Sequence, residues 1–113
     1  MDLFRKEASR VYVHKVPTGK TDKDGKPEYT ECHIDVTYRI PTATEGEPIF
    51  VDQLKDTVVF KKFVQEIRSD DIDGWGGGIA PAEVTGLPGT LGLIHSVAMD
   101  IVADSRLGFV RKN

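Results

Sequence analysis

The chain has 113 residues, one domain's worth of sequence and enough for only a thin core. Apolar residues make up 39% and charged residues 29%, a globular composition. The 15 basic and 18 acidic groups are interspersed and leave a net charge of −3. With no basic stripe, neither a nucleic-acid backbone nor an anionic membrane surface is an expected partner.

Residues 10–16 (RVYVHKV) are rich in β-branched and aromatic side chains and predict a strand. Residues 29–40 (YTECHIDVTYRI) alternate with period two. Cys32, Ile34, Val36, Tyr38 and Ile40 share one face, and Glu31, His33, Asp35, Thr37 and Arg39 the other, the pattern of a half-buried strand. Between the two runs, Asp24-Gly25 favours the positive-φ turn of a hairpin or long β-loop. The polar segment 41–48 (PTATEGEP) predicts a break that ends the sheet.

Residues 48–69 predict a helix. Phe60, Phe63, Val64 and Ile67 recur at helical spacing and Leu54 extends the stripe, while Asp52 near the start and Arg68 near the end suit the helix dipole. Residues 69–78 (SDDIDGWGGG) carry four glycines in five positions and predict a loop around Trp75. Residues 80–86 predict a short helical turn with Pro81 at its first position. Residues 88–106 predict a final helix, with Leu87, Leu91, Ile94, Ala98, Ile101 and Ser105 in a 3-4 stripe, Val102 beside it, Leu93 and Val97 widening it, and Gly108 as its stop. Strands first and helices after predict an α+β fold in a single domain, 1–113. A small N-terminal antiparallel β-hairpin or sheet (1–47) is followed by a C-terminal helical hairpin (48–113).

Chemical motifs are sparse. Gly19-Lys20-Thr21 matches the end of a phosphate-binding loop, but the glycine required five residues earlier is His14. Asp22-x-Asp24-Gly25 overlaps a calcium loop whose first ligand position would be Lys20, and in Asp71-x-Asp73-Gly74 the twelfth position is Ala80. Both read as turns. His14, His33, His95 and Cys32 have no paired metal-ligand spacing, so no metal or cofactor is expected, and Cys32 reads as a small core residue. No nucleophile-elbow sequence appears, and Asp70, Asp71 and Asp73 read as a solvated acidic loop more readily than as an acid/base cluster. No catalytic residue is therefore expected. Trp75 reads as an anchor, either of its own loop or for a partner. A single cysteine, no signal-like run in MDLFRKEASR and no apolar stretch near the ~20 residues of a membrane span make the cytoplasm the expected compartment.

From Val58 onwards the order of features resembles the tail assembly chaperones of long-tailed (siphovirus-type) bacteriophages. The features are the aromatic-ended amphipathic run VVFKKFVQEI, the acidic and glycine-containing gap DDIDGWGGGIAPAEV, the Leu87-Pro88-Gly89 turn, the amphipathic TLGLIHSVAMDIVADSRLG and a closing Arg111-Lys112-Asn113. A strand such as CHIDVTYRIPT feeding the first helix is compatible with that family, whereas the DKDGKPE hairpin and the GWGGG run depart from it.

The resemblance implies a non-enzymatic protein of the bacterial host cytoplasm. It would bind and solubilise the tape measure protein, help recruit tail tube protein, associate weakly with itself and be absent from the finished virion. The expected contact mode is an amphipathic helix lying in a groove. Trp75, Leu87, Leu93, Val97 and Phe109 are then the expected partner-binding side chains, with Leu93 and Val97 forming an exposed strip beside the packed seam of the last helix. Two other functions compete: a structural phage tail or head–tail connector protein, and a small metal-dependent or acid/base enzyme using Asp70, Asp71, Asp73 and His95.

Overall fold

The computed structural model describes residues 6–51 and 54–107. In chain order the elements are β1 (Glu7–Thr21), β2 (Pro27–Arg39), α1 (Ala43–Val51), α2 (Asp56–Phe63), β3 (Val64–Arg68), α3 (Pro81–Thr85) and α4 (Leu91–Leu107). The strands form one antiparallel sheet in the order β1-β2-β3 with helices on one face, the α+β arrangement read from the sequence. No helix among the described residues is long and apolar enough to cross a membrane.

β1 and β2 make a long hairpin, in register from Glu7 opposite Arg39 to Pro17 opposite Tyr29. Asp22 and Gly25 close its tip. The Asp22 carboxylate accepts the N–H groups of Asp24 and Lys26, both at 2.9 Å, and Gly25 takes φ +77°, which only glycine adopts without strain. Beyond Pro17 the ribbon is exposed on both faces and projects from the body. The radius of gyration is 16.1 Å, against about 13 Å for a compact chain of this length.

The period-two reading of β2 holds in three dimensions. Cys32, Ile34, Val36 and Tyr38 are buried toward the helices, while Glu31, His33 and Asp35 are exposed. One core joins Ile34, Val36 and Tyr38 to Val59, Phe60 and Phe63 of α2, Ile67 of β3, Trp75 of the following loop, Val84 of α3, and Leu93, Ile94, Val97, Ala98 and Ile101 of α4. Burying these side chains stabilises the fold by roughly 1.5–3 kcal/mol for each large one, before the entropic cost of ordering the chain.

Two elements correct the sequence reading. Segment 41–48 is not a break: α1 starts inside it. Thr42 and Glu45 form a capping box, the hydroxyl accepting the Glu45 N–H and the carboxylate accepting the Thr42 N–H, each at 3.2 Å. Arg39 reinforces it with two hydrogen bonds to Glu45, at 2.5 and 2.8 Å, while its guanidinium lies 5.0 Å from the centroid of the Phe63 ring. These contacts hold a nine-residue helix that contains Pro48.

The expected helix over 48–69 is likewise divided. α2 ends at Phe63 and the chain continues as β3, with Val64 opposite Tyr38 and Glu66 opposite Thr37. Gln65 is thus the extra residue of a β-bulge. The bulge places two exposed residues between buried Val64 and Ile67, so their spacing of three imitates a helix.

In the second half, α3 has Pro81 in its first turn, and the Leu87-Pro88-Gly89 turn precedes α4, with Gly89 at φ +80°. The expected exposed strip on α4 is not there. Leu93 is 3% and Val97 0% exposed, because α4 packs this side against α2 and the sheet. Asp52, Gly108 and Phe109 lie outside the described residues.

Candidate functional site

The Trp75 loop, the Leu87-Pro88-Gly89 turn and the inner face of the hairpin do not close completely on one another. They leave a groove of about 370 Å³ whose lining includes Val16, Ile34, Ile72, Trp75, Leu87 and Leu93. Each wall has a local cause. Trp75 is pinned because its carbonyl accepts the N–H groups of Ser69 and Gly78, both at 3.1 Å, and its own N–H donates to Ile72 at 3.1 Å. The Leu-Pro-Gly turn is held by the Thr90 hydroxyl, which donates to the carbonyls of Val84 (2.9 Å) and Leu87 (3.0 Å). On the hairpin side, His14 Nε2 lies 3.1 Å from the Gly89 carbonyl and fixes the turn against β1.

Three of the expected partner-binding residues, Trp75, Leu87 and Leu93, therefore meet at one groove, although they stand on three different segments, a loop, a turn and a helix. Their roles differ from the expectation. Leu87 stands at the mouth, 43% exposed, while Trp75 (8%) and Leu93 (3%) form the packed wall. Val97 lies deeper in the core and is not part of the lining. Leu91, on the first turn of α4 and outside this lining, is 69% open to solvent. The sequence reading missed the contributions of Ile72, Ile34 and His14. Ile72 is the apolar exception within SDDIDG and was the available signal.

The other end of α4 meets the same hairpin through polar groups. Tyr38 donates its phenol proton to Asp104 Oδ2 and accepts a 2.9 Å hydrogen bond from Arg10 Nε. Arg10 Nη2 reaches both Asp104 oxygens at 3.2 Å. One turn earlier on the helix, Asp100 accepts the Tyr12 phenol at 2.6 Å. Burial and the acceptor carboxylate push the Tyr38 phenol up to about 12, and the same two causes raise Tyr12. Both phenols are therefore neutral donors at neutral pH. The stripe Leu93, Val97, Ile101 runs on at helical spacing to Asp100 and Asp104, so an acid on the buried face was the legible signal for this clamp.

Further polar contacts tie elements together. His95 Nδ1 is 2.6 Å from Asp56 Oδ2 and links α4 to the first turn of α2. Asp71 accepts the His33 backbone N–H at 2.7 Å, and the Ser69 hydroxyl donates to the His33 carbonyl at 2.8 Å, continuing the β2–β3 ladder with side chains. Asp70, Asp71 and Asp73 are exposed, and Asp71 and His95 have these separate partners. Among the described residues no group of three or more His, Cys, Asp or Glu is placed to hold a metal ion. No family model, curated protein or solved structure matches the chain.

Proposed function

We propose that this chain is a tail assembly chaperone of a long-tailed bacteriophage. It acts in the host cytoplasm by holding apolar helical segments of the tape measure protein and helping to recruit tail tube subunits. The observation that carries the reading is the groove, in which Trp75, Leu87 and Leu93 converge. A mostly apolar groove with few fixed polar groups suits the apolar side of an amphipathic helix, whose register it constrains only loosely. A chaperone that coats a long helical partner at many places benefits from such tolerance. The order of elements from α2 through the Leu-Pro-Gly turn to α4 also follows the resemblance, with a first helix that ends at Phe63.

Co-expression with the tape measure protein of the same genome tests the proposal. The wild-type chain is expected to keep that partner soluble and to co-purify with it. Leu87→Asp is expected to lose both effects, while Val58→Asp, at an apolar residue 41% exposed elsewhere, retains them. Equal solubilisation by both variants would remove the groove from the function. Abundant recovery of the chain from purified virions would point to a structural tail or connector protein instead.

A further inference from the structure

The alternation of the β1–β2 ladder fixes which backbone groups β1 leaves at its open edge. The Ile40 N–H donates to the Lys6 carbonyl at 2.8 Å, so Lys6 and Ile40 are a hydrogen-bonded pair. By antiparallel alternation the same holds for Ala8 with Tyr38, Arg10 with Val36 and Tyr12 with Ile34. His33, opposite Val13, agrees: its N–H and carbonyl turn away from β1, to Asp71 and Ser69. Glu7, Ser9, Val11, Val13 and Lys15 therefore aim their N–H and carbonyl groups outward, and no described strand pairs with that edge.

The side chains of these residues stand on the helix-free face, where Val11 is 61% and Val13 56% exposed. Long edges are usually guarded by proline, charge or a bulge. Here charge stands only at the two ends of the edge, at Glu7 and Lys15, and beyond them Pro17 has the edge-facing parity and no N–H to offer.

We propose that residues 7–15 of β1 pair antiparallel with the same residues of a second copy, Val11 facing Val11 across a two-fold axis. The choice of occupant rests on self-complementarity. In this register Ser9 faces Val13, and Glu7 faces Lys15 of the other copy at both ends, so opposite charges meet twice. Shifted one way, Arg10 would face Arg10. Shifted the other way, Glu7 would face Pro17, which cannot complete the ladder. The favoured register is thus the one centred between the chain's own charges and bounded by its own proline. It yields a continuous six-stranded sheet with four valines side by side on the helix-free face. The proposal uses the strand edge and does not depend on the groove.

Sedimentation equilibrium and residue-resolved amide exchange on the full chain, over a range of concentrations, test it. A monomer–dimer equilibrium is expected. The amides of Ser9, Val11, Val13 and Lys15 should gain protection only as dimer forms, while those of Ala8, Arg10 and Tyr12 are protected throughout. Val11→Lys sets like charges face to face at an exposed site and is expected to raise the dimer dissociation constant at least about tenfold, with an unchanged far-ultraviolet spectrum. Glu7→Lys and Lys15→Glu should each weaken the dimer, and the double variant should restore it. A chain that stays monomeric to about 1 mM, a dimer indifferent to Val11→Lys, or a charge swap that fails to restore association would overturn the proposal. So would edge amides that become protected only when a different protein is added.

Discussion

Along the seam between α4 and the hairpin, the helix's last turns meet the strands through Arg10, Tyr12, Tyr38, Asp100 and Asp104. Its first turns meet them through Ile34, Trp75 and Leu93, with an open groove alongside. The same two elements are joined by opposite materials at their two ends. Hydrogen bonds to the buried Asp104 and half-buried Asp100 carboxylates are directional, and slippage would leave the Asp104 charge unpaired in the interior, so the polar end fixes how helix and sheet sit. Apolar contact is non-directional, so the other end leaves a groove whose mouth, at Leu87, constrains an occupant's orientation only loosely. One end sets the frame, and the other is the end that the proposed function uses for binding.

Five outcomes break or sharpen this contrast. The largest expected effect is along the buried stripe of α4. Leu93→Asp or Val97→Asp places an unpaired charge in the core and should cost more than about 4 kcal/mol, unfolding so small a domain. Circular dichroism of either variant settles the point, and a folded, binding-deficient Val97→Asp would mean that the strip is surface after all. Next, Ile101→Ala leaves a cavity beneath the clamp and should lower stability by about 2–5 kcal/mol in denaturant titrations.

Third, Tyr38→Phe removes a buried donor to Asp104 and should cost about 1–3 kcal/mol without altering partner binding. A loss of binding at constant stability would assign the clamp a recognition role instead. Fourth, the clamp should be sensitive to base. The folded-state value of Tyr38, about 12, lies above the unfolded value near 10. Its stabilisation is therefore complete below pH 10 and fades as pH rises toward 12. Glu45 shows the opposite sign: Arg39 and the Thr42 N–H hold it at about 2, so its contribution is present above pH 4.5 and fades as pH falls toward 2. Unfolding midpoints across those two windows check both. The smallest stability effect is expected at Leu87→Asp, within about 0.5 kcal/mol of the wild type, although binding is lost.

The clarity of the sequence follows how local each determinant is. β2, the Asp24-Gly25 turn, the Pro81 helix and α4 are specified by neighbours in the chain, and each appears where its pattern placed it. The α1 start was also written locally, as Thr42-x-x-Glu45, but two flanking prolines make that segment read as a break. β3 was not legible because a bulge hides its alternation, and a bulge arises from pairing with β2, a partner distant in sequence. The groove was half legible. Trp75, Leu87 and Leu93 stand out as large apolar residues at loops and helix starts, but whether each faces the mouth or the wall depends on tertiary packing. Leu93 and Val97 were misplaced for the same reason: a wide apolar arc is buried when two neighbours cover it, and the periodicity of one helix cannot count its neighbours.

Trp75 is the chain's one tryptophan and it lines the groove, so its fluorescence reports occupancy directly. Titration of the wild-type chain with purified amphipathic segments of the tape measure protein should give a saturable change in Trp75 emission, absent from Leu87→Asp at equal stability. Saturable binding that leaves the emission unchanged, or that proceeds equally well in Leu87→Asp, would contradict the groove as the binding end of the molecule.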